Sequence, residues 1–220
     1  ETEASLANYP SNFALLDSKA LLSTLEDIAY QCRCVIYKSD DTIYMKYLAK
    51  EHASVSTLTV DEIIAGSLKL QYSETEKLTT KYVATWKPSY QDLDLNYNLR
   101  PIRRVVLRNN IDLYGTHENV RSFWIYNIRS LVVKSAKFWL IRESNTWKRI
   151  KFETTLKALR LETHDTFTLD IGANDFLADA PIKVIAESIS YDSENLKLAF
   201  DVWAPILSGS MSEYSLAYLG

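Results

Sequence analysis

A chain of 220 residues with 47% hydrophobic side chains holds enough apolar material for one large or two small cores, which excludes a disordered chain. The formal net charge of -3 gives no overall basic field, so dedicated nucleic-acid binding is excluded as a whole-chain property and only a local patch is left open. No apolar run approaches the roughly 18 residues of a membrane-spanning helix, and no basic-then-apolar leader opens the sequence, so a soluble chain without a membrane anchor or signal peptide is expected.

The chain opens on Glu1 and its first methionine is Met45, which reads as a product processed or cut from a longer polypeptide. Residues 1–16 lack a clear period and read as an extended lead-in. Asp17 or Ser18 then caps a helix whose Leu21, Leu22, Leu25, Ile28, Ala29 and Cys32 share one face, which something must cover. Two β-rich runs, 32–39 and 42–48, flank the polar turn Asp40–Asp41 and predict a hairpin. Residues 49–58 form a connector, followed by a capping box at Thr59–Glu62 and a helix end at Gly66. Leu68, Leu70 and Tyr72 alternate with polar neighbours, as do Leu78, Thr80, Tyr82, Ala84 and Trp86, which predicts two half-buried strands. Residues 90–98 read as a loop, and Ile102 to Leu113 supply another strand.

The stretch 115–145 carries Val120, Phe123, Trp124, Ile128, Leu131, Ser135 and Phe138 at helical spacing. It predicts one long amphipathic helix, capped at Thr116, favoured by Glu118 at its positive end and stopped at Asn145. Beyond it, Trp147, Ile150 and Phe152 open a second β-rich half. Leu159 and Leu161, then Phe167, Leu169 and Ile171, alternate on either side of a turn at His164–Asp165. Ile182 to Tyr191 and Leu196 to Trp203 form a final hairpin around Asp192–Asn195. The expected class is α+β and β-rich, built of barrel or sandwich domains with the long helix near 116–144. The expected partition is a helix–hairpin subdomain at 1–58 and a β-rich domain at 59–220.

The residue chemistry points to no reaction centre. His52, His117 and His164 are scattered, and none sits in a nucleophile motif. Cys32 and Cys34 lack the second pair that zinc requires, and they read as reduced thiols packed near a helix end. Asp92, Asp94 and Asn96 begin like a calcium loop, but Tyr97 stands at the glycine position and Arg103 at the closing glutamate position. The glycines are isolated from one another, so no phosphate cradle forms. No catalytic, cofactor-binding or metal-binding residue is therefore assigned, and no cofactor. Arg100, Arg103, Arg104 and Arg108 form the one basic concentration, either the polar face of a strand or a patch facing phosphate or another subunit. Fourteen tyrosines and five tryptophans would also suit a carbohydrate- or protein-binding surface, although most occupy core-facing positions.

Several of these segments together resemble a known family. Helix plus hairpin from Asp17 to Leu48, the run Thr59-Val-Asp-Glu-Ile-Ile-Ala-Gly-Ser-Leu68, the strand Tyr82–Trp86, the long helix, and Ile189-Ser-Tyr-Asp192 are similar to the hub proteins of phage tails. These are the lambda-type tip attachment protein J and its baseplate-hub relatives. The resemblance implies β-rich hub domains related to tail-tube subunits, a homotrimer at the tail tip, and neighbours among tail tube, baseplate, spike or fibre proteins. It further implies a structural, non-enzymatic role in host attachment, a place in the virion tail, and host cytoplasm before assembly. The alternatives kept beside it are a carbohydrate- or receptor-binding module of a tail and a tail-associated hydrolase.

Overall fold

Alternating burial along its strands organises the chain, and the computed structural model describes residues 6–13, 20–39, 41–48, 53–87, 102–172 and 181–205. In chain order the elements begin with helix α1 (Leu21–Gln31) and strands β1 (Cys34–Ser39), β2 (Thr42–Tyr47), β3 (Thr57–Thr59), β4 (Lys69–Tyr72), β5 (Lys81–Trp86) and β6 (Arg103–Arg108). They continue with helix α2 (Ile111–Tyr114), strand β7 (Glu118–Ser122), helix α3 (Arg129–Ser144) and strands β8 (Trp147–Thr155), β9 (Thr166–Asp170), β10 (Ile182–Asp192) and β11 (Lys197–Pro205). The class is α+β and β-rich, as expected.

Two compact units result, one from the described residues of Glu1–Lys50 and Glu76–Asn145, the other from those of Glu51–Thr75 and Thr146–Met211. Leu58, at the end of the expected helix–hairpin segment, lies inside β3, in parallel register with Leu169 of the far half of the chain. Such a long-range pairing leaves no mark in local composition.

In the first unit β5 is the centre of a three-stranded sheet ordered β6-β5-β7, antiparallel to β6 and parallel to β7. Tyr82, Ala84 and Trp86 are buried on one face, which is the alternation read from the sequence. On the opposite face Val106, Val83 and Val120 form a cross-strand row, with Val106 and Val120 exposed.

The stretch 115–145 is not one helix. Glu118–Ser122 is a strand held by β5, with the Lys81 ammonium paired to Glu118, and the helix begins only at Arg129. The apolar residues at 123–126 that looked helical fill a buried turn, where Phe123 N–H donates to Thr85 O at 2.7 Å and Phe123, Ile125 and Tyr126 are wholly buried. The physical difference is propensity: 118–128 carries Asn119 and Asn127, the aromatics Phe123, Trp124 and Tyr126 and the β-branched Val120, Ile125 and Ile128, whereas 129–144 carries Arg, Leu, Lys, Ala and Glu. Neither Thr116 nor Glu118 caps the helix, but Asn145 stops it as expected, its Nδ2 donating to Ile141 O at 2.7 Å. The last turns are buried nearly all round, through Phe138, Trp139, Leu140 and Ile141, so α3 is a core helix more than an amphipathic one.

The second unit is a single six-stranded sheet ordered β3-β9-β10-β11-β8-β4. All its neighbours are antiparallel except β3 and β9. Phe152 and Phe200 stand opposite each other in register with rings stacked at 5.3 Å, and Phe167 meets Phe200 edge-on at 6.0 Å. β3 and β4 remain the two edges, so no closed barrel forms among the described residues. The capping box read at Thr59–Glu62 is present on a single 3-10 turn, with Thr59 N–H donating to Glu62 Oε2 at 3.0 Å. The alternation expected through Leu159 and Leu161 is replaced by a 3-10 helix over Leu156–Arg160 that buries Ala158 and exposes Leu159. Leu, Lys, Ala and Arg favour helical backbone over strand, which accounts for the difference.

Candidate assembly surface

The site is built outward from a buried polar framework at the end of α1. Arg33, between the two cysteines, takes a left-handed backbone (φ 60), which turns the chain from α1 into β1. Its guanidinium is buried, donating to Tyr9 Oη at 2.9 Å and Leu48 O at 3.1 Å, and lies over the rings of Phe138 at 4.1 Å and Tyr47 at 5.2 Å. Leu48 N–H returns a bond to Arg33 O at 2.7 Å, so one residue clamps both strands at the base of the hairpin. Beside it the wholly buried Gln31 accepts Ile125 N–H at 3.1 Å on its side chain. Its carbonyl accepts Tyr126 Oη at 3.0 Å and Ser135 Oγ at 2.6 Å.

From that base the hairpin runs outward and its burial falls away. Cys34 and Tyr47 pair nearest the core; Ile36–Met45 and Lys38–Ile43 follow on the same face, with Tyr37–Tyr44 stacked at 5.4 Å on the other. Near the tip Ile43 is 56% exposed, and Tyr44 and Met45 are exposed as well. Asp41 makes the turn in left-handed conformation, as the polar turn predicted, with Lys38 Nζ 2.7 Å from its carboxylate.

The adjoining helix departs from expectation in the same direction. The cap expected at Asp17 or Ser18 lies outside the described residues, and the described helix starts at Leu21 with Ala20 before it. The side turned to the core carries Thr24, Ala29 and Gln31, while Leu21 is 75% exposed and Leu22 and Leu25 are exposed too. The face expected to be covered is thus partly open. Two neighbouring elements, α1 and the hairpin, present large aliphatic and aromatic side chains to solvent, which is the composition of a contact surface.

The other sequence candidates fall apart in space or into structural roles. Both thiols are buried and free; burial raises the Cys32 thiol, and burial with the neighbouring Cys32 pushes Cys34 up to about 12. His117 is used by its backbone, bonded to Thr80, and its Nε2 lies 2.9 Å from Tyr114 O. His164 sits in a left-handed turn whose N–H donates to Ala186 O at 2.7 Å. His52, Arg100 and the Asp92, Asp94, Asn96 run lie outside the described residues. Among the described residues no group of three His, Cys, Asp or Glu is arranged to hold a metal ion. Arg103, Arg104 and Arg108 all lie on β6, at the edge of the sheet. Arg33 carried no signal in the sequence, because nothing local distinguishes a buried arginine between two cysteines from an exposed one.

No family model matches the sequence, and no curated protein matches it. Solved structures do. A tail protein from Neisseria meningitidis MC58 superposes with TM-score 0.56 at 11% identity, over 94% of this chain and 65% of that one. The 43 kDa tail protein of prophage MuSo2 from Shewanella oneidensis gives 0.53 at 11%, over 86% of this chain and 56% of that one. A chain in the virion of a native gene transfer agent particle gives 0.52 at 10%, over 72% of this chain and 33% of that one. The chain therefore shares its fold with phage-tail and virion proteins and spans less than two thirds of their length.

Proposed function

We propose that this chain is a structural part of a phage or prophage tail, at the tip or baseplate hub, where it self-associates as a trimer and scaffolds the distal end of the tail tube. The observation that carries the reading is the open apolar surface of α1 and the β1–β2 hairpin. A two-stranded hairpin is marginal alone in water, and Ile43, Tyr44 and Met45 at its outer end gain only when a partner covers them. The fold shared with tail proteins supports the same reading. A scaffold of this kind acts by burying interfaces of roughly 1,200 Å² or more around a symmetry axis and needs no reaction centre. Its neighbours would be tail tube, baseplate, spike or fibre proteins, and its place the virion tail, after folding in the host cytoplasm.

The test is the solution mass of the purified chain over a wide concentration range, with immunogold labelling of virions. A trimer is expected, together with label at the tail tip. Ile43→Ser with Met45→Ser weakens association about tenfold or more, as loss of a central apolar contact does. A chain that stays monomeric at high concentration, with no label at the tip, overturns the reading. Binding to glycans through exposed tyrosines without self-association would favour a receptor-binding module instead.

A further inference from the structure

β6 is an outer strand, and among the described residues nothing pairs its far edge. Arg103, Val105 and Leu107 lie on the sheet face that packs toward α3, opposite the buried Trp86, Ala84 and Tyr82. Arg104, Val106 and Arg108 point to the other face, as strand alternation requires. Along α3, Ser130, Val133, Lys134 and Lys137 repeat at helical spacing and overhang the same edge. With Arg129, Val105 and Leu107 they line a groove of about 630 Å³. Its apolar wall is Val105, Leu107 and Val133; its polar wall is cationic.

These cations are not consumed internally. Arg103, Arg104, Arg108, Arg129 and Lys137 make no ion pair among the described residues, and Lys134 rests its ammonium over the Tyr9 ring at 4.5 Å. A strand edge that no described residue pairs, an aliphatic wall beside it and, on both faces, cations without an ion pair among the described residues together define what fits.

We infer that the β6 edge and its groove bind an extended segment of another protein, alternating aliphatic and carboxylate side chains, by strand addition. The added strand places its aliphatic residues against Val105, Leu107 and Val133 and its carboxylates beside Arg104 and Arg108. The same arginines repel a second copy of this edge, as charges on open strands commonly do. Among the described residues the chain's own other outer strands do not match: β7 carries Arg121 and a Glu118 already paired with Lys81, β4, β1 and β2 carry Lys69, Lys38 and Lys46, and β3 has no charge. Among the described residues no aromatic ring lines the groove to stack a base, which disfavours single-stranded nucleic acid. The inference stands on this geometry and does not rest on the tail-tip reading.

The experiment titrates the whole chain with a labelled peptide of about eight alternating Glu and Val residues, an ordinary strand length. Alternating Glu–Ser and Lys–Val peptides and a single-stranded oligodeoxynucleotide serve as comparisons. Saturable binding of the Glu–Val peptide alone is expected, with slowed amide exchange confined to residues 103–108. Arg104→Glu with Arg108→Glu lowers the affinity about tenfold or more, and the milder Arg104→Gln with Arg108→Gln lowers it less, through lost charge complementarity. No binding, binding undiminished in both variants, binding without β6 protection, equal binding of the Glu–Ser peptide, or preference for the oligonucleotide each overturns the inference.

Discussion

Tyr30 and Trp139 lie ring on ring, centroids 4.1 Å apart and planes within 9° of parallel, and Trp139 Nε1 donates to the Tyr30 carbonyl at 2.8 Å. This joins α1 to α3 across most of the first unit's sequence. The Tyr30 hydroxyl extends the contact, 2.6 Å from Tyr82 Oη and donating to Glu143 Oε1 at 3.1 Å. Tyr30→Phe keeps the stack and loses the hydroxyl network, at a cost of about 1–2 kcal/mol. Tyr30→Ala removes both and costs about 3–5 kcal/mol. Urea unfolding of the two variants separates the contributions; equal losses would show that the stack adds nothing.

Gln31 holds the α1 end against the buried turn at 123–126. Gln31→Leu keeps the volume but strands the Ile125 N–H, which then has no acceptor for its 3.1 Å bond. The expected destabilisation is about 1–3 kcal/mol, the usual cost of one unsatisfied buried donor. Gln31→Glu keeps an acceptor at that N–H but loses the amide donor to Asp27 O, so it buries a carboxylate with one partner fewer. Its thermal midpoint should therefore rise as pH is lowered, while that of Gln31→Leu should not. A Gln31→Leu protein as stable as the parent would show that the turn finds another partner for Ile125.

Strand alternation was legible wherever one face is buried. Lys81 to Trp86 shows its strand through a period of two, whereas Trp147 to Phe152 and the 182–203 hairpin show theirs through β-rich composition and, in the hairpin, the polar turn at Asp192–Asn195. The sequence predicts one long helix over 115–145 because Val120, Phe123, Trp124 and Ile128 mimic helical spacing, although they belong to a strand and a turn. Only the pairing of Val120 with Val83, distant in sequence, decides between them. Leu21, Leu22 and Leu25 share a helical face that calls for a cover, and the sequence goes no further for the same reason: periodicity marks an apolar face without saying whether the same chain covers it. The basic run on β6 was visible as composition, but its position on an open edge beside α3 is a tertiary fact.

Neighbouring residues on β11 give an internal contrast. Phe200 points inward to Phe152 and Phe167, whereas Asp201 points outward and accepts Arg149 Nε at 2.8 and 2.9 Å on its two oxygens, with a further bond from the same guanidinium. That bond is the main reason the Arg149 guanidinium is held above its usual range. Phe200→Ala should cost about 3–5 kcal/mol through an unfilled core. Asp201→Asn should cost about 1 kcal/mol or less, since the Arg149 side chain is partly open to solvent, and its effect should shrink in high salt. Chemical unfolding of both variants at two salt concentrations checks this, and a reversed order would mean that the sheet face is read the wrong way round.

The first unit should lose stability in alkali. Burial raises the thiols of Cys32 and Cys34 and the phenols of Tyr9, Tyr30, Tyr82 and Tyr126 above their ordinary values. A group whose folded value is raised keeps its full contribution below its unfolded value. That contribution is lost as pH climbs towards the folded value, because the unfolded chain releases the proton first. Thermal midpoints should therefore hold from neutrality to about pH 8.5, fall as the thiols of the unfolded chain ionise, and fall faster above about pH 10 as its phenols do. Cys32→Ser with Cys34→Ser should flatten the earlier part of the fall and leave the later part. At neutral pH both thiols should react with a thiol-specific reagent far more slowly in the folded protein than in urea, since the nucleophile is the thiolate and these are buried and protonated. Reaction of the native protein at the rate of a free cysteine would show that the α1–β1 turn opens on its own, and would remove the fixed hairpin base on which the assembly surface depends.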